Sequence, residues 1–323
     1  MTPRLTVGRL VERLTAPLQL EHYTETGGLQ REVGNPDVSS PGLALAGYVK
    51  RFPAERLQVL GETEITYLKS LDEETRRAHL SSFFSFPIPC VFVTKGQEPP
   101  SEMIEYATAA GIALIRTRLK TNEFYTRLKP WLEDEFAPSM NLHGSLADVF
   151  GVGLLFVGSS GIGKSECVMD LVERGHRLVA DDLVIVKRRL GDVLIGRGHE
   201  LQRHHMEIRG VGLVDVPSIF GIRAVRQQKR IEVVVELQAW DGQATVDRTG
   251  LDTETKKILD VEIPKARVLL NPGKNITVIA EVIAMNHLLK YSGIDPAERF
   301  NERLTKHMAR QSDVRRYLLE DDE

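Results

Sequence analysis

The stretch VGSSGIGKSE, Val157 to Glu166, constrains this chain more than any other. Its Gly158, Gly163, Lys164 and Ser165 fit the spacing G-x-x-x-x-G-K-[ST], in which glycines let backbone N–H groups converge on phosphate oxygens. Such a loop sits between an apolar strand that anchors it and a helix whose positive end points at the anion. Both are legible. GVGLLF leads into the loop, and KSECVMDLVERG follows as a helix with Cys167, Val168, Leu171 and Val172 on one face and Gly175 placed to end it. Gly158, Ser159, Ser160, Gly161, Ile162, Gly163, Lys164 and Ser165 are therefore expected to bind nucleotide phosphate. Lys164 would reach the β- and γ-phosphates, and the Ser165 hydroxyl can ligate Mg²⁺. A kinase, an ATPase, a GTPase and a nucleotide sensor all share this loop, so it does not by itself name a reaction.

Its partners narrow the choice. An ordinary P-loop NTPase places a Walker-B aspartate at the end of an apolar strand. The nearest candidates, Asp181 and Asp182 in LVADDLVIV, follow closely and lie inside a β-rich run rather than at its far end. Neighbouring strand residues point to opposite faces, so one of the two is expected to face the loop. That placement suits a base beside a γ-phosphate better than a simple metal anchor, the alternative being a solvated pair on an edge strand. RHHMEIRGVGLVDV, Arg203 to Val216, offers Glu207 to a Mg²⁺ and Arg209 to a phosphate. Its adjacent His204 and His205 have no third ligand at suitable spacing and are expected in a turn or at the surface. His143 stands just before the loop's strand pair, and Arg248 lies in the turn-rich TVDRTGLD. A lone histidine is usually structural and a loop arginine usually solvated, yet an arginine on such a loop also has the form of one that stabilises a transferring phosphoryl group.

The remainder sets bounds. The 323 residues suffice for two domains. With 42 basic and 45 acidic residues the formal charge is −3, which argues against a dedicated nucleic-acid or anionic-membrane binder. No apolar run approaches the roughly 18 residues of a membrane-spanning helix, and charges interrupt MTPRLTVGRLVERLTAPL, so a cytoplasmic protein is expected. Cys90 and Cys167 lie among apolar neighbours and are expected in the core. The first 130 or so residues alternate strand-like and helix-like stretches: PCVFVTKG, PSEMIEYATAAG, IALIRTRL, then TNEFYTRLKPWLEDEF with Asn122 as a cap. EFAPSMN, Glu135 to Asn141, is placed as a linker. Beyond the phosphate loop, HRLVADDLVIVKRRLGDVLIG gives two β-rich runs around a turn at Leu190–Asp192, RIEVVVELQAW gives another strand, and the end is helical, with Asp295 capping the last helix.

Taken together these segments resemble the bifunctional HPr kinase/phosphorylase family. HGSLADVFGVGLLFVGSSGIGKSE, ERGHRLVADD, MEIRGVGLVDV, FGIRAVRQQKRIEVVVELQAW, DRTGLD and EVIAMN occur in the family's order and cover nearly all of residues 141–290. The resemblance implies an α/β protein: a smaller N-terminal α/β domain over 1–134, the linker over 135–141, and a C-terminal P-loop kinase domain over 142–323 with a mostly β core flanked by helices. It implies ATP-dependent phosphorylation of a serine of the phosphocarrier HPr, and reversal by inorganic phosphate with release of pyrophosphate. Pyrophosphate is left open as an alternative donor to ATP. Ser165 and Glu207 would hold Mg²⁺, Lys164 would neutralise phosphate oxygens, Asp182 would exchange the serine proton, and His143 and Arg248 would complete the site. A homohexamer is implied, without nucleic acid or membrane as partner. One departure stands out: where the family shows two arginines around Pro-Gly, this chain has Asn271 and Lys274, which implies weaker phosphorolysis. On residues alone, a P-loop kinase of another small protein or metabolite, or a nucleotide-binding regulator without transfer activity, remains open.

Overall fold

The computed structural model describes residues 5–24, 27–240, 254–271 and 273–320, and it divides into two compact units, 1–137 and 138–323. In the first unit five strands form one sheet, in the order Leu20–His22, Ala113–Thr117, Cys90–Val93, Leu57–Leu60, Val38–Ser39. All neighbours run parallel except the first pair. Leu57–Leu60 and Cys90–Val93 are buried at every position, as a parallel sheet covered on both faces requires. Leu10, Phe92 and Phe124 belong to the core on one face, and Leu80, Phe83, Val91 and Met103 to the core on the other. The helix expected from an Asn122 cap instead spans Thr121–Phe136, with Asn122 inside it. The Thr121 hydroxyl is bonded to that of Thr94 at 2.7 Å, so a tertiary contact sets this helix start where a local cap was expected. Of the stretch expected to be a linker, Glu135 and Phe136 complete the same helix and Ser139–Asn141 open a strand.

The second unit stacks two sheets. The larger has the order Thr255–Ile258, Val261–Leu270, Val233–Ala239, Val152–Val157, Ser145–Val149, Arg177–Ala180. Val233–Ala239 is parallel to both its neighbours, and the remaining pairs are antiparallel. The smaller is antiparallel throughout, in the order Gln228–Arg230, Val193–Gly198, Leu183–Arg189, Ser139–His143. The larger sheet is covered on one face by the helices Lys164–Glu173 and Ile276–Tyr291, through Phe156, Val168, Leu171, Val235 and Ala280. Its other face meets the smaller sheet through Leu146, Leu155, Val179, Val184 and Val234. Glycine is required where the backbones come closest: a Cβ on Gly153 would stand 1.8 Å from the carbonyl oxygen of Arg230. Asn275 caps Ile276–Tyr291 by accepting from the Val278 N–H at 3.1 Å, and Asp295 accepts from Ala297 and Glu298 at the start of Pro296–Glu320, as expected. No helix among the described residues is long and apolar enough to cross a membrane.

The chain changes sheet twice at one place. Gly144 carries it from Ser139–His143 into Ser145–Val149, and Asp181 with Asp182 carries it back from Arg177–Ala180 into Leu183–Arg189. The two crossovers lie side by side, tied by the Gly144 N–H donating to the Asp182 carbonyl at 3.0 Å.

Candidate functional site

Val152–Val157 delivers the chain into the glycine loop, and the helix Lys164–Glu173 leaves it directly after Gly163. Two glycines are required by backbone geometry. Gly158 has φ +150°, and a Cβ there would come within 2.6 Å of the Leu237 carbonyl on the neighbouring strand; Gly163, at φ +101°, caps the helix. Ile162 packs onto the core beneath and fixes the loop from below. Lys164 is only 6% exposed, and its ammonium donates to the carbonyls of Gly158 and Ser159 at 3.2 and 3.0 Å. A buried ammonium with neutral partners alone is undercompensated, and an anion in the loop would complete it.

Asp181 and Asp182 occupy a crossover, which corrects the expectation that they lie inside one β run. The Leu183 N–H donates to the Asp181 carbonyl at 2.7 Å across Asp182, whose φ is +63°. Such a three-residue turn is of the rare positive-φ kind, a strained conformation that clusters at functional sites. Strand alternation therefore does not apply, and both carboxylates line the cleft with the loop, together with His143, Ser145, Glu207 and Arg209. Their surroundings differ. Asp181 is 7% exposed; its Oδ1 accepts from the Ser145 hydroxyl at 2.5 Å and the Ser165 hydroxyl at 3.0 Å, while its Oδ2 is buried without a hydrogen-bond partner. Burial holds its pKa above the usual aspartate range, and the two hydroxyl donors act against that rise. The Asp182 side chain is 59% exposed, with Oδ1 3.0 Å from Nδ1 of His143 on the adjacent crossover.

The hairpin His205–Ile208 with Gly212–Asp215 supplies the third wall. Met206 and Val214 are buried in the core shared with the loop helix, so the alternate residue Glu207 is exposed and lines the cleft. Arg209, in the hairpin turn, lies against the phosphate loop: a Cβ on Gly161 would stand 2.5 Å from its Nη2. His204 takes φ +65° before the hairpin and His205 opens it, both half-buried. Arg248 lies outside the described residues. Lys274 donates to the carbonyl of Leu269, near the end of the strand Val261–Leu270, at 3.1 Å.

The donor set suits a hard cation. The Ser165 hydroxyl, the Asp181 carboxylate with its unpartnered oxygen, and Glu207 all offer oxygen. Among the described residues no three His, Cys, Asp or Glu side chains gather into a self-sufficient cage. Mg²⁺ needs none, since it binds through one or two carboxylates plus substrate phosphates. Sequence reasoning left out Ser145 and the role of Asp181. Ser145 carries no periodic or motif signal, but two consecutive aspartates in a β-branched run are themselves a sign that the strand breaks there.

Comparison with known proteins bears on both units. The family described as HPr Serine kinase N terminus matches residues 5–132, and that described as HPr Serine kinase C-terminal domain matches residues 134–304. The HPr kinase/phosphorylase of Chloroherpeton thalassium is 45% identical over 312 residues, covering 96% of this chain and 92% of the relative. That of Geobacter sulfurreducens is 42% identical over 304 residues, covering 94% and 95%. A solved structure of the HPr(Ser) kinase/phosphatase from Coxiella burnetii is 32% identical, covering 50% of this chain and 99% of that one, with a TM-score of 0.45.

Proposed function

Since this chain belongs to the HPr kinase/phosphorylase family and is an enzyme of the kinase/phosphorylase class, we propose that it transfers the γ-phosphoryl group of ATP to a serine of HPr and reverses the transfer with inorganic phosphate. One observation carries the assignment of roles: two consecutive carboxylates face one phosphate loop in opposite environments. Asp181, buried and bonded to Ser165, belongs with the metal side of the site. Asp182, exposed at the cleft mouth beside His143, is the group an incoming hydroxyl can reach.

Gly158–Ser165 and Lys164 cradle the nucleotide phosphates, with Arg209 close by on the loop. Ser165, Glu207 and the unpartnered oxygen of Asp181 would hold Mg²⁺, which would offset the negative charge of the phosphates. In the forward direction Asp182 accepts the serine proton as the hydroxyl oxygen attacks the γ-phosphorus, and ADP leaves. In reverse, an oxygen of inorganic phosphate attacks the phosphoserine phosphorus, the bond from phosphorus to the serine oxygen breaks as Asp182 gives that oxygen its proton, and the pyrophosphate so formed is released. His143 orients the Asp182 carboxylate. Arg248 would counter charge on the group in flight. Pyrophosphate can serve as donor by the same reaction run backwards. The enzyme works as a cytoplasmic homohexamer in this reading, and sedimentation velocity checks the assembly.

The test is transfer of radiolabelled phosphate from ATP to HPr with wild type and Asp182→Asn. General-base assistance is worth roughly 10²–10⁴-fold, so the variant should lose about that much rate while still binding a non-hydrolysable ATP analogue. An unchanged rate would overturn the role of Asp182, and ATP turnover without HPr labelling would favour another acceptor. In the phosphorolysis direction, Asn271 and Lys274 supply no arginine fork, so pyrophosphate release from seryl-phosphorylated HPr should be present but slow, and faster in Lys274→Arg. Complete absence of release under excess phosphate would sink the reverse reaction.

A further inference from the structure

Ser145 is a buried polar side chain that lines the cleft without a part in the transfer as derived above. It opens a strand buried at every position and pairs with Phe156, just before the phosphate loop. Directly opposed residues of an antiparallel pair share a face, so Ser145 lies with Phe156 on the face that the loop helix covers. Its backbone has little room to move. A Cβ on the preceding Gly144 would stand 2.5 Å from the Phe156 carbonyl oxygen, and the Gly144 N–H is bonded to the Asp182 carbonyl at 3.0 Å. From this fixed seat the Ser145 hydroxyl donates to Oδ1 of Asp181 at 2.5 Å. A serine hydroxyl has one proton to give, and burying it without an acceptor is costly. Asp181 is the less constrained partner, since the chain turns through Asp182 at φ +63° immediately after it.

We propose that Ser145 is a positioning residue that fixes the Asp181 carboxylate for the divalent cation of the phosphate site. The inference rests on the assignment of that cation to Ser165, Glu207 and Asp181, and not on the identity of the acceptor. While Ser145 holds Oδ1, the Ser165 hydroxyl donates to the same oxygen at 3.0 Å. The Ser165 proton thus points at Asp181, and its lone pairs are what it offers a cation. Oδ2 has no hydrogen-bond partner among the described residues, which leaves it as the second oxygen on offer. Without the Ser145 hydroxyl the carboxylate is released to turn about its terminal torsion, which is broad and two-fold, and to exchange its oxygens. Ser165 then loses the fixed acceptor that orients it. Support of this kind from behind a ligand changes metal affinity by about 10–100-fold.

Binding of Mn²⁺ to the full chain with ADP, followed by the electron paramagnetic resonance of the free ion, tests this without any transfer step. Ser145→Ala should weaken Mn²⁺ binding at least about tenfold, while affinity for ADP without metal stays within about twofold of wild type. Ser145→Thr keeps the hydroxyl donor and should bind Mn²⁺ within about threefold of wild type. An unchanged Mn²⁺ affinity in Ser145→Ala overturns the proposal. So does an equal loss of metal-free ADP binding, or a threonine variant as weak as the alanine one, since either assigns Ser145 to packing. Should alanine prevent folding, Ser145→Cys, close in size and a weak donor, takes its place with the same expected loss. Glu207→Gln separates the proposal from the assignment beneath it. Weakened Mn²⁺ binding there, with unchanged binding in Ser145→Ala, overturns the positioning role alone, whereas unchanged binding in both overturns the cation site.

Discussion

Asp181 is a residue whose placement opposes stability. It is buried, one of its oxygens has no partner, and burial raises its pKa. Ionised at neutral pH, it would carry a desolvated charge supported by only two hydroxyl donors. An amide of the same shape keeps an oxygen for Ser145 and Ser165 and removes the charge. Asp181→Asn is therefore expected to melt at the same temperature as wild type or above it, while transfer to HPr falls by about 10–100-fold, the usual effect of losing a group that supports a metal site. A clear drop in melting temperature, or full activity, would show that the carboxylate is structural. At this scale the sequence was legible where backbone shape depends on the local motif, as for Gly158 and Gly163, whose φ angles of +150° and +101° favour glycine. It was not legible for Ser145 or for the seat of Arg209 on Gly161, because those roles arise from residues brought together only by the fold. The φ of +63° at Asp182 was hidden for a related reason: valines and leucines on either side read as one uninterrupted strand.

Among the elements, the loop helix is held at its far end by one carboxylate. Glu281 on Ile276–Tyr291 accepts from Arg174 at 2.9 and 2.6 Å and lies 3.0 Å from Nε2 of the buried His176. These partners, Arg174 first, hold its pKa below the usual glutamate value of 4.5. The sign follows from linkage. A carboxylate with a depressed folded pKa stabilises the protein above its unfolded pKa, and that stabilisation disappears as pH falls through the folded value. Glu281→Gln should thus cost about 1–3 kcal/mol at neutral pH, and its melting temperature should approach that of wild type as pH drops below about 4.5. A gap that stays constant down to acid pH would assign the effect to packing. The helix itself was legible from its apolar spacing and from Gly175, which takes φ +94° just past its end. The tie to Glu281 was not, since more than a hundred residues separate the partners (281 − 174 = 107).

Over the whole molecule, the buried clusters do not mix. Two of them lie wholly within residues 1–137, on the two faces of one sheet, and two lie wholly within 138–323. The change of pattern near residue 135 was visible in the sequence, but its position was not, because Ser139–His143 alternates in burial and carries little apolar signal. That strand matters physically. Its register pairs Ser139, Met140 and Asn141 with Lys187, Val186 and Ile185, and it ends on His143 beside Asp182. Fragments discriminate between the two boundaries. Residues 1–137 and 138–323 should each fold alone with a cooperative melt, and 138–323 should bind a non-hydrolysable ATP analogue, since it contains the whole cleft. A fragment beginning at residue 142 lacks three ladder residues at the edge of the smaller sheet. At roughly 1 kcal/mol for each lost backbone bond, it should melt about 5–10 °C below 138–323. Equal melting of the two fragments would place the working boundary after the strand, and loss of cooperative folding in 138–323 would mean that the N-terminal unit is needed to complete the catalytic one.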